Sequence, residues 1–192
     1  MATDRTAVIG FPVDHSLSPI IHNHWIKELG LDTKPYEKIN VDPNKFEEQI
    51  NNLKAEGYGG LNVTVPLKEL AFSISDETSG VSKKLKSVNT LSLNSEKIDG
   101  DNTDAVGFIN SLDEKTIENN IANKKTLVLG AGGSARSVVH ALNELGAHVR
   151  LFNRTPEKAA TLLNDLSINS SPVSAEELDD YANSSSFIVN TT

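Results

Sequence analysis

TLVLGAGGSARSVVHALNELGAHVRLFNRT, residues 126–155, alternates strand, turn, helix and strand. Thr126–Leu129 is a short apolar run of the kind a buried parallel strand requires. Ser134–Leu145 carries Val138, Ala141, Leu142 and Leu145 on a helical period, and Gly146 ends that helix. Between strand and helix stand Gly130, Ala131, Gly132 and Gly133, followed by Ser134 and Ala135 in the first helical turn. A backbone without Cβ atoms can approach a pyrophosphate, whose charge meets the unpaired N–H groups and positive dipole end of the helix. Glycine clusters alone mark turns. The complete strand, turn, helix and strand unit makes this one the seat of a dinucleotide.

About twenty residues past such glycines, an NAD-binding unit places Asp or Glu on the ribose 2′-hydroxyl. Here the chain has Asn153, Arg154 and Thr155, with Lys158 one helical turn further on. A carboxylate would repel a 2′-phosphate, whereas a guanidinium offers it a planar fork of donors. NADP is therefore expected in preference to NAD.

With 192 residues, 38% of them hydrophobic, the chain has material for a genuine core, and two unequal domains fit its pattern. A net charge of −8 argues against general nucleic-acid binding but allows one basic pocket for an anionic ligand. The absence of Cys excludes disulfides, zinc-thiolate sites and cysteine nucleophiles. Met1–Gly10 lacks a basic-then-apolar signal, and no apolar run nears the ~20 residues that span a bilayer. A soluble cytoplasmic protein, with no membrane or nucleic-acid partner, is expected.

Upstream, strands and helices alternate. Ala7–Phe11 reads as a strand, and Ser18 as the N-cap of a helix with Pro19 at its first position, running to Leu29 and ended by Gly30. Tyr36–Val41 reads as a strand, and Asp42-Pro43 opens a helix with Phe46 and Ile50 inward. Gly59-Gly60 precede a strand Leu61–Val65, and Pro66 turns it into a short helix. Val88–Leu93 and Lys97–Asp99 predict a hairpin around Asn94-Ser95, then a helix through Phe108 and Leu112, and a polar connection 114–125. Asp14-His15-Ser16 holds three triad residue types, but neighbours on an extended chain point apart. His22 and His24 lie roughly 200° apart round a helix and cannot share a metal as an i,i+4 pair would; surface histidines are expected.

Four strings, Ser16-Leu17-Ser18, Asn62-Val63-Thr64-Val65-Pro66-Leu67-Lys68, Ser87-Val88-Asn89-Thr90 and Asp101-Asn102-Thr103-Asp104, resemble shikimate dehydrogenase in order and spacing. With the glycine-rich turn and Asn153-Arg154-Thr155, the resemblance covers the whole chain. It implies an α/β fold: a substrate-binding domain over 1–103 and an incomplete Rossmann-like NADP-binding domain over 104–192. The implied activity is the reversible NADPH-dependent reduction of 3-dehydroshikimate to shikimate, on the route to chorismate and the aromatic amino acids.

Residue by residue, the resemblance implies that the Ser16 and Ser18 hydroxyls hold the substrate carboxylate. Asn62, Thr64 and Asn89 would read a ring bearing three hydroxyls, since such groups are costly to bury unpaired. Lys68 and Asp104 would be the catalytic pair at the inter-domain cleft, Lys68 projecting from a strand terminus where α/β ligands bind. Asn190 and Thr191, at the start of an Asn-x-Thr loop after Phe187-Ile188-Val189, would join the cofactor site. Members of the family continue well beyond this point, so the chain is expected to be a fragment, its last strand an uncovered edge prone to self-association. A quinate-using or NAD-preferring relative, and a non-catalytic binding module, remain alternatives at this stage.

Overall fold

Arg5–Gly10 forms strand β1, with Ala7, Val8 and Ile9 all buried, so both faces of this strand carry a layer. The structure is a computed structural model that describes residues 5–94 and 96–192. It divides into two compact units, which meet in sequence between Asn102 and Thr103.

In the first unit β1 pairs in parallel with β2 (Glu37–Asn40) and β3 (Tyr58–Val63). With β4 (Glu77–Thr78), β5 (Thr90–Ser92) and β6 (Asp99–Asp101) they form a mixed sheet of order β2-β1-β3-β5-β6-β4. Four helices accompany it: α1 (Ser18–Glu28), α2 (Phe46–Ala55), α3 (Lys68–Ile74) and α4 (Gly80–Leu85). The main core gathers Ala7, Ile9, Phe46, Ile50, Leu61, Val63 and Leu91, and a smaller cluster joins Val8, Val13 and Tyr36. Strand alternation does the sorting: in β1, Ala7 and Ile9 serve one cluster and Val8 the other.

The second unit opens with α5 (Asp104–Asn110) and α6 (Glu114–Thr116) and reaches β7 (Lys125–Leu129). Next come α7 (Gly133–Glu144), β8 (His148–Phe152), α8 (Pro156–Asp165), α9 (Leu178–Ser184) and β9 (Phe187–Asn190). The strands lie in the order β8-β7-β9, all parallel. A lone bridge from Leu151 to Pro172 stands beyond β8, where a Rossmann sheet has its third strand. The expected α/β class and Rossmann-like second half are what the chain forms.

Several expectations need correction. Ser18 is the first residue of α1 and not its N-cap: Leu17 holds that place, and no side chain caps the helix. Gly59 and Gly60 lie inside β3, which ends at Val63; the Thr64 N–H donates to the Ile9 carbonyl (2.9 Å) as the last bond of the β1–β3 ladder. The helix after Asp42 begins as a 3₁₀ turn, Pro43–Lys45, with the Asp42 carboxylate accepting from Asn44 N–H (2.9 Å). The connection 114–125 is not merely polar: a π-helical turn Ile117–Ile121 buries Ile121 completely. In α7, Ala141 and Leu142 are fully buried as expected, joined by Ala135 and Val139, whereas Val138 and Leu145 are half-buried. The helix starts at Gly133, and the glycine turn sets its phase against β7. The predicted hairpin pairs Thr90 with Asp101 and Ser92 with Asp99; its turn residue Ser95 lies outside the described residues, as do Met1–Asp4 of the predicted leader-free start.

Candidate functional site

In the first unit, the parallel pair β1 and β3 delivers two loops at the same edge, one running from Gly10 to Ser18 and the other from Val63 to Lys68. They are tied together, since Phe11 N–H donates to the Val65 carbonyl at 3.1 Å. Gly10 permits this approach: a Cβ there would lie 2.6 Å from Thr64 Cγ2. Ser16 and Ser18 are half-buried, with the Ser16 hydroxyl donating to the Ser18 hydroxyl (3.2 Å) and accepting from the Ser18 N–H (3.3 Å). Freed from capping, the Ser18 hydroxyl shares one small polar patch with Ser16.

Asn62 sits opposite Thr90 in the β3–β5 ladder, so the two side chains share a face. The Asn62 Nδ2 donates to Thr90 Oγ1 (3.4 Å), and Thr90 Oγ1 donates to Asn89 Oδ1 (3.0 Å). The Asn89 backbone is also spoken for, its carbonyl accepting from Val63 N–H (2.7 Å) and its N–H donating to the Asp101 carbonyl (2.9 Å). Lys68 opens α3 and is buried to 8% exposure, unusual for a lysine. Its carbonyl accepts from Val88 N–H (3.0 Å), which fastens the lysine segment to the Asn89 segment. Thr64 is half-buried, and its carbonyl accepts from Leu67 N–H (2.9 Å) in the turn that presents Lys68. Asn102 is 5% exposed, donating from Nδ2 to the Ser87 carbonyl (3.0 Å).

Three further residues belong to this neighbourhood and escape a reading by motif. The Tyr36 hydroxyl donates to Asn62 Oδ1 at 2.7 Å. Asn23 brackets the Tyr36 backbone with two hydrogen bonds, and His22 stacks on its ring. His22 is thus no plain surface histidine, while His24 is exposed. Burial raises the Tyr36 phenol above its ordinary range and lowers the His22 imidazole below its own.

In the second unit, Asp104 is half-buried at the first position of α5. The nucleotide strings follow the ends of β7, β8 and β9, and the ladder sets Leu129 against both Phe152 and Asn190. The glycine turn, Asn153-Arg154-Thr155 and Asn190-Thr191 therefore emerge along one edge. Gly130 has φ +104°, and a Cβ there would stand 2.8 Å from Thr191 Oγ1. The Thr191 hydroxyl and N–H both donate to the Leu129 carbonyl, at 2.7 and 2.8 Å. Gly132 caps α7, is exposed, and a Cβ on it would meet open space. Gly133, Ala131 and Ser134 are half-buried beside it. The first turn of α7 carries no acid, which leaves its dipole end positive. Ala135 departs from expectation: it is fully buried, so it packs α7 onto the sheet and offers a ligand no surface. Asn153 Nδ2 donates to the Thr155 carbonyl (2.8 Å), shaping a turn in which Arg154 is exposed, as is Lys158 in the first turn of α8. A hollow of about 520 Å³ lined by Lys125, His148, Arg150 and Tyr181 among others lies at the opposite ends of β7 and β8 and contains none of these residues. Among the described residues no helix is long and apolar enough to cross a membrane.

Comparison with known proteins matches two family models to the chain. A model of the shikimate dehydrogenase substrate binding domain matches residues 8–91, and a shikimate / quinate 5-dehydrogenase model matches residues 111–192. Shikimate dehydrogenase (NADP(+)) of Brucella abortus is 41% identical over all of this chain and 66% of its own length. That of Methylocella silvestris is 38% identical over all of this chain and 68% of its own. Among solved structures, the shikimate dehydrogenase of Aquifex aeolicus superposes with a TM-score of 0.85 at 38% identity, over 99% of this chain and 69% of that one. The Thermus thermophilus enzyme, solved with NADP(H) and shikimate, gives 0.80 at 33% over 98% and 68%. The chain spans about two thirds of the length of the curated relatives it matches. With strings, strand order and whole-chain identity in agreement, the chain belongs to the shikimate dehydrogenase family.

Proposed function

We propose that this chain supplies the substrate- and cofactor-binding apparatus for reversible, NADP-dependent interconversion of 3-dehydroshikimate and shikimate, a step toward chorismate and the aromatic amino acids. The observation that carries this reading is the alignment of the glycine turn, the Arg154 turn and Asn190-Thr191 along one edge of a parallel sheet. The residues there suit NADP: Gly132 opens onto free space at a helix end without a side-chain cap, and Arg154 and Lys158 are exposed cations of the kind a 2′-phosphate calls for. Gly130 through Ser134 cradle the pyrophosphate, Asn153, Arg154, Thr155 and Lys158 hold the adenosine phosphate, and Asn190 and Thr191 border the turn.

In the first unit, which serves as the substrate domain, Ser16 and Ser18 donate to the substrate carboxylate, and Asn62, Thr64 and Asn89 read the ring hydroxyls. When bound, NADPH supplies the hydride. Lys68, as ammonium, donates a proton to the oxygen that becomes the hydroxyl and, in the oxidative direction, removes it as the neutral amine. Asp104, at the first position of α5, is the other residue assigned to catalysis, as a hydrogen-bond acceptor for the substrate. A cysteine-free chain with these diffusible ligands is assigned to the cytoplasm. We also assign to the open edge of β9, where Ile188 is 47% exposed, a tendency to self-associate; sedimentation velocity across a concentration range, with Ile188→Lys as the control, checks it.

The test of function is NADP reduction followed by absorbance with shikimate as substrate, alongside quinate and NAD. Turnover or saturable binding with shikimate and NADP is the expected result; a preference for quinate or NAD would reassign the chain within the family, and no binding of either ligand would overturn the reading.

A further inference from the structure

Tyr36 is held from three sides for a purpose that the sheet does not require. Its N–H donates to Asn23 Oδ1 (2.8 Å), and its carbonyl accepts from Asn23 Nδ2 (2.9 Å), so a side chain of α1 imitates a neighbouring strand. Its ring stacks on His22 with centroids 4.2 Å apart and planes 13° from parallel, and Trp25 closes edge-on against His22 at 5.5 Å. With backbone and ring fixed, the hydroxyl has one aim, Asn62 Oδ1 at 2.7 Å.

From that bond a directed series runs across the sheet: Tyr36 O–H to Asn62 Oδ1, Asn62 Nδ2 to Thr90 Oγ1, and Thr90 Oγ1 to Asn89 Oδ1. A phenol donates more strongly than it accepts, and burial keeps this one protonated. The Asn62 amide is therefore locked with its oxygen toward Tyr36, and of its two N–H donors only one is taken by Thr90. We propose that Tyr36 is a positioning residue that sets the amide orientation of Asn62 and, through Thr90, of Asn89, so that the site meets a hydroxylated acid with N–H donors and not carbonyl acceptors. The ring hydroxyl that meets Asn62 then acts as acceptor, which leaves its own proton for another partner. This inference rests on the reading of Asn62 and Asn89 as substrate residues.

Tyr36→Phe keeps the ring, the stack and the backbone bracket but releases the amide. Its expected signature is a KM or dissociation constant for shikimate raised about tenfold, the scale of one buried hydrogen bond, with kcat within about threefold of the parent and NADP affinity unchanged. Asn23→Ala, which loosens the bracket, should raise the shikimate constant in the same direction by less. A purely structural role would move the NADP and shikimate constants together or neither. Isothermal calorimetry with shikimate reads binding whether or not the chain turns over. If the parent binds shikimate and Tyr36→Phe binds it equally well, the positioning role is overturned while the functional reading stands; if the parent binds no shikimate, both fall.

Discussion

Lys68 shows how much a single position can be asked to do. Lys68 is buried to 8% exposure, a desolvation cost that its interactions must offset. Its place in the first turn of α3 also sets a cation at the positive end of a helix, which works against the fold. Lys68→Ala is accordingly expected to lower kcat by ~10²–10⁴-fold, the range for a general acid, with a much smaller rise in KM. Near-normal kcat would reduce it to a binding residue. A second residue-scale expectation concerns Tyr58, whose hydroxyl donates to Glu37 and over whose ring Arg5 lies at 4.2 Å. Burial, reinforced by the Glu37 hydrogen bond, raises the phenol from 10.0 to about 12. The same bond, ahead of Arg5, lowers Glu37. The neutral phenol is the form folding favours, so its stabilisation is complete below pH 10 and lost between there and about 12. The Glu37 contribution is present above the ordinary carboxylate range and lost as pH falls through its lowered value. Denaturant midpoints of Tyr58→Phe against the parent across that alkaline window should converge; a constant gap would refute the linkage.

At the scale of the element, the turn between β7 and α7 separates two kinds of glycine. Gly130 is required by its backbone, with φ +104° and Thr191 in the way of any Cβ, so Gly130→Ala should destabilise the unit by about 1–3 kcal/mol. Gly132 is not required by its backbone, which is extended, and a Cβ there meets open space. Gly132→Ala should therefore leave the thermal midpoint nearly unchanged while weakening NADP, since its methyl occupies the approach of the pyrophosphate. Arg154→Asp, on the neighbouring turn, should narrow or invert the preference for NADP over NAD by about tenfold or more. Equal affinity of Gly132→Ala and the parent for NADP would move the cofactor away from this turn. The strand, turn and helix periodicity made these elements legible, because each depends on residues close together in the chain. What local pattern could not give was phase and partnership. Ile121 looked like part of a polar tether because its apolar neighbours are few, yet it is fully buried. In α7 the expected Ala141 and Leu142 are buried, but Val139 takes the buried place expected of Val138. Tyr36 reads as an ordinary strand residue until a contact 26 residues away gives its hydroxyl a target. Asn62, Lys68, Arg154 and their kin could be singled out because they stand in contiguous strings, whereas Asn23, His22 and Tyr36 are joined only by folding.

The whole molecule divides its tasks as it divides its cores. The first unit rests on a six-stranded sheet with Ile9, Ile50, Leu61, Leu67 and Leu91 fully or almost fully buried, and the second on three parallel strands around Leu127, Leu142, Leu151 and Leu162. Each has its own interior, so two unfolding transitions are expected, the three-stranded sheet melting first. The assignment of ligands to units then becomes measurable without any turnover. A ligand that binds only the folded form stabilises it by RT ln(1 + [L]/Kd), about 2.7 kcal/mol at a hundredfold excess over Kd. NADP should raise the lower transition and leave the upper one in place. Shikimate, all of whose assigned contacts but Asp104 lie in the first unit, should act mainly on the upper one, and Gly132→Ala and Tyr36→Phe should each blunt chiefly the shift that belongs to their own unit. Differential scanning calorimetry with each ligand in turn reads all four outcomes. Were NADP to lift both transitions equally, or were a single transition to respond to either ligand, the two cores would be one cooperative structure and the division of labour between them would be wrong.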